Sequence, residues 1–293
     1  MGEVFCDDLR VTVPASHWPD VRGSVQPVLE SIGAAVEYQS EERIGWRYEG
    51  GTAQAKRVGV VWSLSTSGQM LAGLRLRSLF GQFLAAIGSS PHKVTGLHAT
   101  MDREAATPPV LEELLAKVAS DDGLRLSRKR VALSHVDRWL VRRADGSDTG
   151  TMYLGSKAAE VRACVYDKRE ERIAHGMPDL GYDLTRYELR LRGVGASLRD
   201  ASEPTSIFWH YMAPDVLPCP VGVAPWVSHA QGVELDWPPV AEPAERLAQR
   251  VFRSDDLASI LKLARSFPGG PELLLSMLRR RMLDPAAESS ALN

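Results

Sequence analysis

Val161-Arg162-Ala163-Cys164-Val165-Tyr166-Asp167-Lys168 settles the fold class. Its apolar positions recur every second residue, the period of a strand with one buried face. Alternate strand residues share a face. One face therefore carries Arg162, Cys164, Tyr166 and Lys168, and the other, with Val161, Ala163, Val165 and Asp167, suits a core. Thr151-Met152-Tyr153-Leu154-Gly155-Ser156 precedes it as a second strand. Arg186-Tyr187-Glu188-Leu189-Arg190-Leu191-Arg192 follows it, with Arg186, Glu188, Arg190 and Arg192 opposite Tyr187, Leu189 and Leu191. Upstream, Val94-Thr95-Gly96-Leu97-His98-Ala99-Thr100-Met101-Asp102 puts His98, Thr100 and Asp102 on one face opposite Leu97, Ala99 and Met101.

The remaining chain fits around these strands. Leu9, Val11 and Val13 alternate with Arg10 and Thr12 up to Pro14, a further strand. Residues 17–34 carry Val21, Val25, Val28, Leu29 and Ile32 at helical spacing, and residues 36–41 and 44–48 form a strand pair. A valine-rich strand spans 57–65, and one long helix is expected over 69–87. Pro108-Pro109 opens a helix to about residue 120, because proline is tolerated in a first turn. Residues 136–142 and 151–154 flank Asp145-Gly146 as a hairpin. A short charged helix is expected over 169–174. Strands and helices intermingle without steady β-α alternation, which predicts α+β: a largely antiparallel central sheet flanked by helices, with a C-terminal helical extension. Residues 1–197 form the α+β domain. Residues 198–293 hold a proline-rich segment (six prolines in 214–239) and two closing helices, over 242–266 and 271–283, as an extension or a small helical subdomain.

The 293 residues, 44% hydrophobic and 25% charged, are ordinary for a globular protein and rule out a disordered or fibrous chain. No apolar run reaches the roughly 18 residues of a membrane span, and the N-terminus lacks the pattern of a secretory signal, so no membrane partner is expected. Three separated cysteines, Cys6, Cys164 and Cys219, make no disulfide framework or CxxC knuckle and fit a reducing cytoplasm. The net charge of −2 hides a gradient. Residues 125–200 hold 16 Lys and Arg against 11 Asp and Glu, whereas the rest of the chain is acidic. A basic middle of this kind suits a polyanion partner, as well as a solvated surface of uneven charge.

Chemistry gathers on the polar strand faces. Tyr166 lies between Arg162 and Lys168, and neighbouring cations favour a phenolate and hence a nucleophile. An ordinary half-buried strand tyrosine has the same pattern. Glu188 among three arginines makes either a salt-bridge ladder or a cation ligand beside an anion-binding surface. His98 and Asp102 add imidazole and carboxylate donors of the type that hold divalent metals. Nucleophile, metal ligands and phosphate-binding cations together are what a metal-assisted phosphoryl transfer to tyrosine requires.

Tyr153 through Ser156, the Tyr166-Asp167-Lys168 core and Arg186-Tyr187-Glu188-Leu189-Arg190 resemble the replication initiation factor family of rolling-circle plasmids and filamentous phages. Ser67-Gly68-Gln69-Met70-Leu71 and residues 94–102 are similar to two further blocks in the right order. The resemblance covers residues 9–192. It implies a site-specific DNA nickase whose tyrosine attacks a phosphodiester, keeps the 5′ phosphate and frees a 3′ hydroxyl. By position the catalytic residues are Tyr166 and Lys168. Asp102, Glu188 and His98 would ligate a divalent metal, Mg2+ or Mn2+. Arg162, Arg186, Arg190, Arg192 and the Arg128-Lys129-Arg130 cluster would contact DNA. The chain departs from the family at Gly96 and His98, where an arginine and a further aspartate are usual. The implied partners are a replication origin, single-stranded or hairpin, and the host helicase and polymerase, with a homodimer allowed, in a bacterial cytoplasm.

Two alternatives stand beside this one. His135-Val136-Asp137-Arg138 matches the His-x-x-Arg of tyrosine recombinases, but those enzymes carry their tyrosine on a helix, and the period around Tyr166 is a strand's. A non-catalytic DNA-binding replication or regulatory protein with the same fold is the other. The chain has no GxxxxGK[ST], GxSxG or HExxH motif, so motor and hydrolase functions find no support.

Overall fold

The structure, a computed structural model, describes residues 2–120, 124–126, 129–131, 136–143, 146, 148–218 and 220. Its centre is a ten-stranded sheet in which every neighbouring pair is antiparallel. The strands are β1 (Val4–Pro14), β2 (Ala35–Gln39), β3 (Arg43–Tyr48), β4 (Gly51–Val58), β5 (Val61–Thr66), β6 (Lys93–Glu104), β9 (Val136–Arg142), β10 (Asp148–Leu154), β11 (Val161–Asp167) and β12 (Leu184–Arg192). A separate two-stranded sheet pairs β7 (Leu124–Leu126) with β8 (Lys129–Val131). The helices are α1 (Trp18–Ser31), α2 (Gly68–Leu76), α3 (Phe80–Gly88), α4 (Thr107–Ala119), α5 (Lys168–Ala174), α6 (Leu198–Ser202) and α7 (Thr205–Tyr211). The expected α+β class, built on an antiparallel sheet, is what the chain adopts.

The strand order is β2-β3-β4-β5-β1-β6-β12-β11-β10-β9, which reads as a mirror about the β1–β6 pair. Each half runs strand, helix, then four strands that fold back until the last pairs with the first. β1-α1-β2-β3-β4-β5 makes one half, and β6-α4-β9-β10-β11-β12 makes the other, with β7, β8 and α5 as insertions. This two-fold layout is invisible in the sequence.

One continuous core joins the two halves. Leu9, Val11 and Val13 of β1, Leu97 and Ala99 of β6 and Leu189 and Leu191 of β12 meet Val21, Val25 and Leu29 of α1, Phe83 and Ile87 of α3 and Leu111 and Leu114 of α4. Trp18 of α1 stacks on Trp62 of β5 at 4.8 Å. Phe208, Trp209, Met212 and Leu217 are buried in the same core, so the chain beyond residue 197 continues the domain at least that far.

Two expectations need correction. The single strand over 57–65 is the end of β4 and all of β5, and the chain reverses between them at Gly59, whose φ of +61° suits glycine. The single helix over 69–87 is α2 and α3, bent by 113°. Ser78 takes φ +57° at the break, a conformation no helix can continue through. The bend lets Met70, Leu71 and Leu74 and then Phe83, Leu84 and Ile87 all reach the core. No single helix among the described residues is long and apolar enough to cross a membrane. The closing helices expected over 242–266 and 271–283 lie outside the described residues.

Candidate active site

The site is assembled by register. Residues directly opposite across a ladder share a face, so the polar face of the sheet is a set of rows. Asp102, Arg186, Tyr166, Thr151 and Trp139 form one row across β6, β12, β11, β10 and β9. Thr100, Glu188, Cys164, Tyr153 and Asp137 form the next. Asp8, His98, Arg190 and Arg162 form a third, which begins on β1. Five of the residues singled out from sequence thus converge: Tyr166, Glu188, His98, Arg186 and Arg190.

The hydroxyl of Tyr166 donates to Glu188 Oε2 at 3.5 Å. Glu188 is buried, and its other oxygen accepts from Arg190 Nε at 2.6 Å and lies 3.3 Å from His98 Nδ1. Burial, opposed by Asp8, pushes His98 down to about 4, so at neutral pH it is an uncharged imidazole. Burial and then the Glu188 carboxylate push the Tyr166 hydroxyl well above the ordinary tyrosine value, and Arg186 works against them. This overturns the expectation of a phenolate favoured by Arg162 and Lys168. Those two cations turn away from the hydroxyl. Arg162 lies over the Tyr153 ring at 4.1 Å and binds Asp137 Oδ2 at 2.8 Å, and Lys168, the first residue of α5, binds Glu171 Oε2 at 2.6 Å. Arg186 is the cation across the ladder from Tyr166.

Arg186 is itself buried and saturated with carboxylates. It binds both oxygens of Asp102, at 2.6 and 2.7 Å, and Asp7 Oδ2 at 3.1 Å. Asp102, expected as a metal ligand, therefore has both oxygens committed to a guanidinium. The strand of residues 186–192 makes the salt-bridge ladder that its sequence allowed, with Glu188 still facing His98. Arg192 is exposed and donates to the Lys157 carbonyl at 3.3 Å. Of the basic cluster, Arg128 lies outside the described residues, and Lys129 and Arg130 stand on β8 in the separate small sheet.

Sequence reasoning missed Asp8. A bulge between Cys6 and Asp8 re-aims β1 and brings Asp8 opposite His98. Its Oδ1 is buried without a hydrogen-bond partner, with Arg10 Nε at 3.7 Å, and Thr100 Oγ1 beside Glu188 is likewise buried and unpartnered. Asp7-Asp8 inside an otherwise apolar alternation was the available signal. Carboxylate, imidazole and hydroxyl donors fit a divalent cation in kind, and two orphaned oxygens are what such an ion would satisfy. As the side chains stand, no three His, Cys, Asp or Glu groups among the described residues converge on one ion position.

At one end of this face a groove of about 580 Å³ lies between α2 and α5, lined by Gly68, Gln69, Arg75, Lys168, Arg172 and Arg186 among others. Gly68, from the block noted in the sequence, has to be glycine there, since a Cβ would fall 2.7 Å from the Asp7 carbonyl oxygen.

No protein-family model matches the chain, and no curated protein sequence matches it. Among solved structures it is similar to the rolling circle replication initiator protein from Geobacillus stearothermophilus, with 17% identity and a TM-score of 0.43 over 66% of this chain and 75% of that one.

Proposed function

We propose that this chain is a rolling-circle replication initiator that nicks origin DNA through Tyr166. The observation that carries the proposal is the hydroxyl of a half-buried strand tyrosine donating to a buried glutamate, on a sheet face that also presents His98, Arg186 and Arg190. In the proposed step the Tyr166 oxygen attacks phosphorus, an Oη–P bond forms and the P–O3′ bond breaks. The tyrosine proton passes to Glu188, and the departing 3′ oxygen takes a proton from solvent water to become a free 3′ hydroxyl. The 5′ phosphate stays on Tyr166.

Glu188 has the position for this, with one oxygen on the hydroxyl and the other held by Arg190. Arg186 is a positioning residue, clamped by Asp102 and Asp7 opposite Tyr166, and it partly offsets the high pKa of the hydroxyl. His98 and Asp8, whose Oδ1 has no hydrogen-bond partner, would hold Mg2+ or Mn2+ in the place expected for Asp102, with Glu188 left to take the proton. When bound, that ion would polarise the scissile phosphate. Exposed arginines on the same face, Arg10 and Arg192, are available to phosphates along the strand.

Nicking of supercoiled DNA with added Mg2+ or Mn2+, followed by mass spectrometry of the adduct, tests the proposal. Wild type is expected to relax the DNA and carry a 5′ nucleotide on Tyr166. Tyr166→Phe should abolish both while DNA binding persists, at a stability cost of about 1 kcal/mol. Tyr153→Phe should still cleave. An adduct on the Tyr166→Phe variant would refute the nucleophile.

A non-catalytic DNA-binding protein is the second reading. The upward pKa shift of Tyr166 and the incomplete ligand set favour it, and DNA binding without any nicking would select it.

A further inference from the structure

We propose that Trp139 is a stacking platform for an unpaired base of the DNA strand held at Tyr166, an inference that rests on the nicking function proposed above. Trp139 belongs to the same row as Tyr166, two strands away through Thr151. At a strand spacing of about 4.8 Å, the two side chains stand roughly 10 Å apart on one face, within the span of a short oligonucleotide.

The ring of Trp139 is free to be covered. It is 63% exposed, whereas Trp18, Trp46, Trp62 and Trp209 are all at or below 8%. This chain buries its other described tryptophans, and it leaves one bare on the row of the proposed nucleophile. The same face carries a second ring with two guanidiniums on it, and the exposed Arg10 and Arg192 stand further along it for phosphates. Arg162 and Arg190 lie over the Tyr153 ring at 4.1 and 5.3 Å, one row along, and Arg162 is tied to Asp137, the residue two before Trp139. Single-strand binding surfaces pair such cations with flat aromatic rings, because every base has a π face to stack and every link carries a phosphate. Leu140, also exposed, belongs to the opposite face of β9 and takes no part. Among the described residues β9 ends the sheet, so its edge could equally receive a second copy of the chain by strand pairing. The single strand is favoured because the exposed ring lies on the face of the strand rather than along its edge, in register with Tyr166.

The test measures binding of an oligothymidine of roughly 12 nucleotides by fluorescence anisotropy. Every protein carries Tyr166→Phe, so cleavage plays no part. Trp139→Ala is expected to weaken binding about 10- to 100-fold, and the loss should persist at high salt because stacking releases no counterions. Trp139→Phe should restore most of the affinity, and a duplex of the same length should show no such dependence. Quenching of an exposed tryptophan by the oligonucleotide, absent in Trp139→Phe, is the spectroscopic counterpart. Equal affinities for the Ala and parent proteins, with matching melting temperatures, would overturn the inference and leave nicking at Tyr166 standing. Sedimentation that shows a dimer in the parent and a monomer in Trp139→Ala, with DNA affinity unchanged, would overturn it in favour of self-association. A parent protein that binds no single strand would overturn the inference, and the adduct assay on supercoiled DNA would still decide nicking at Tyr166.

Discussion

Among single residues, the two described cysteines give a sharp contrast with Tyr166. Cys6 and Cys164 are buried, and burial pushes both thiols up, Cys164 to about 12. A thiolate is the reactive form, and at pH 8 these groups supply almost none. Peptide mapping after native labelling with a maleimide at pH 8 should find Cys6 and Cys164 unmodified, and the same experiment in denaturant should find both labelled. Rapid native labelling of Cys164 would show that the face around Glu188 is more open than described. The sequence made this neighbourhood legible in part. Period two assigns Tyr166, Glu188 and His98 to polar faces because each strand has one side in the core. It does not say which residue of one strand stands opposite which residue of the next. Arg162 and Lys168 flank Tyr166 in sequence yet bind Asp137 and Glu171, while Arg186, twenty residues on, stands opposite it across the ladder. Asp8 was hidden for the same reason, since a bulge alters the alternation by which strand faces are assigned.

Elements depend on what stops and starts them. The junction of β11 and α5 hangs on Asp167, which is 3% exposed. Its Oδ1 caps the helix by accepting from Glu170 N at 3.0 Å, and its Oδ2 accepts from Thr149 at 2.7 Å and pairs with Arg143. Asp167→Ala removes a cap and one of three carboxylates around Arg143, leaving Glu170 and Asp183 beside it, so a loss of about 2 kcal/mol in urea unfolding is expected. Asp167→Asn, which keeps a capping oxygen, should lose less. Equal losses for the two variants would mean that the charge alone matters. The break between α2 and α3 predicts a gain. Ser78 is exposed and left-handed, at a cost of roughly 1–2 kcal/mol that glycine avoids, less the extra entropy glycine loses on folding. Ser78→Gly should therefore raise stability by about 0.5 kcal/mol, and a destabilised variant would contradict the assigned conformation. Apolar spacing alone could not reveal this break, because the pattern stays helical on both sides of a residue whose backbone turns.

For the molecule as a whole, the layout puts the chemistry in one half. Tyr166, Glu188, Arg190 and His98 all come from β6, β11 and β12, and among the described residues the other half supplies Asp7 and Asp8 from β1. Composition indicated a basic middle, and the structure shows how much of that charge is internal, since Arg143, Arg162, Arg186 and Arg190 each hold a carboxylate. The palindromic strand order has a mechanical consequence. Between the end of β5-α2-α3 at Gly88 and the start of β6 at Lys93, a four-residue link is the covalent joint between two topologically equivalent halves, whereas the β1–β6 ladder and the shared core are their non-covalent joint. Severing the first should leave the second intact. A protease site placed in that link and cut after folding should yield two pieces that still elute as one particle, and that separate only in denaturant. If the pieces part in native buffer, backbone continuity rather than the central seam is what keeps Asp8 beside His98.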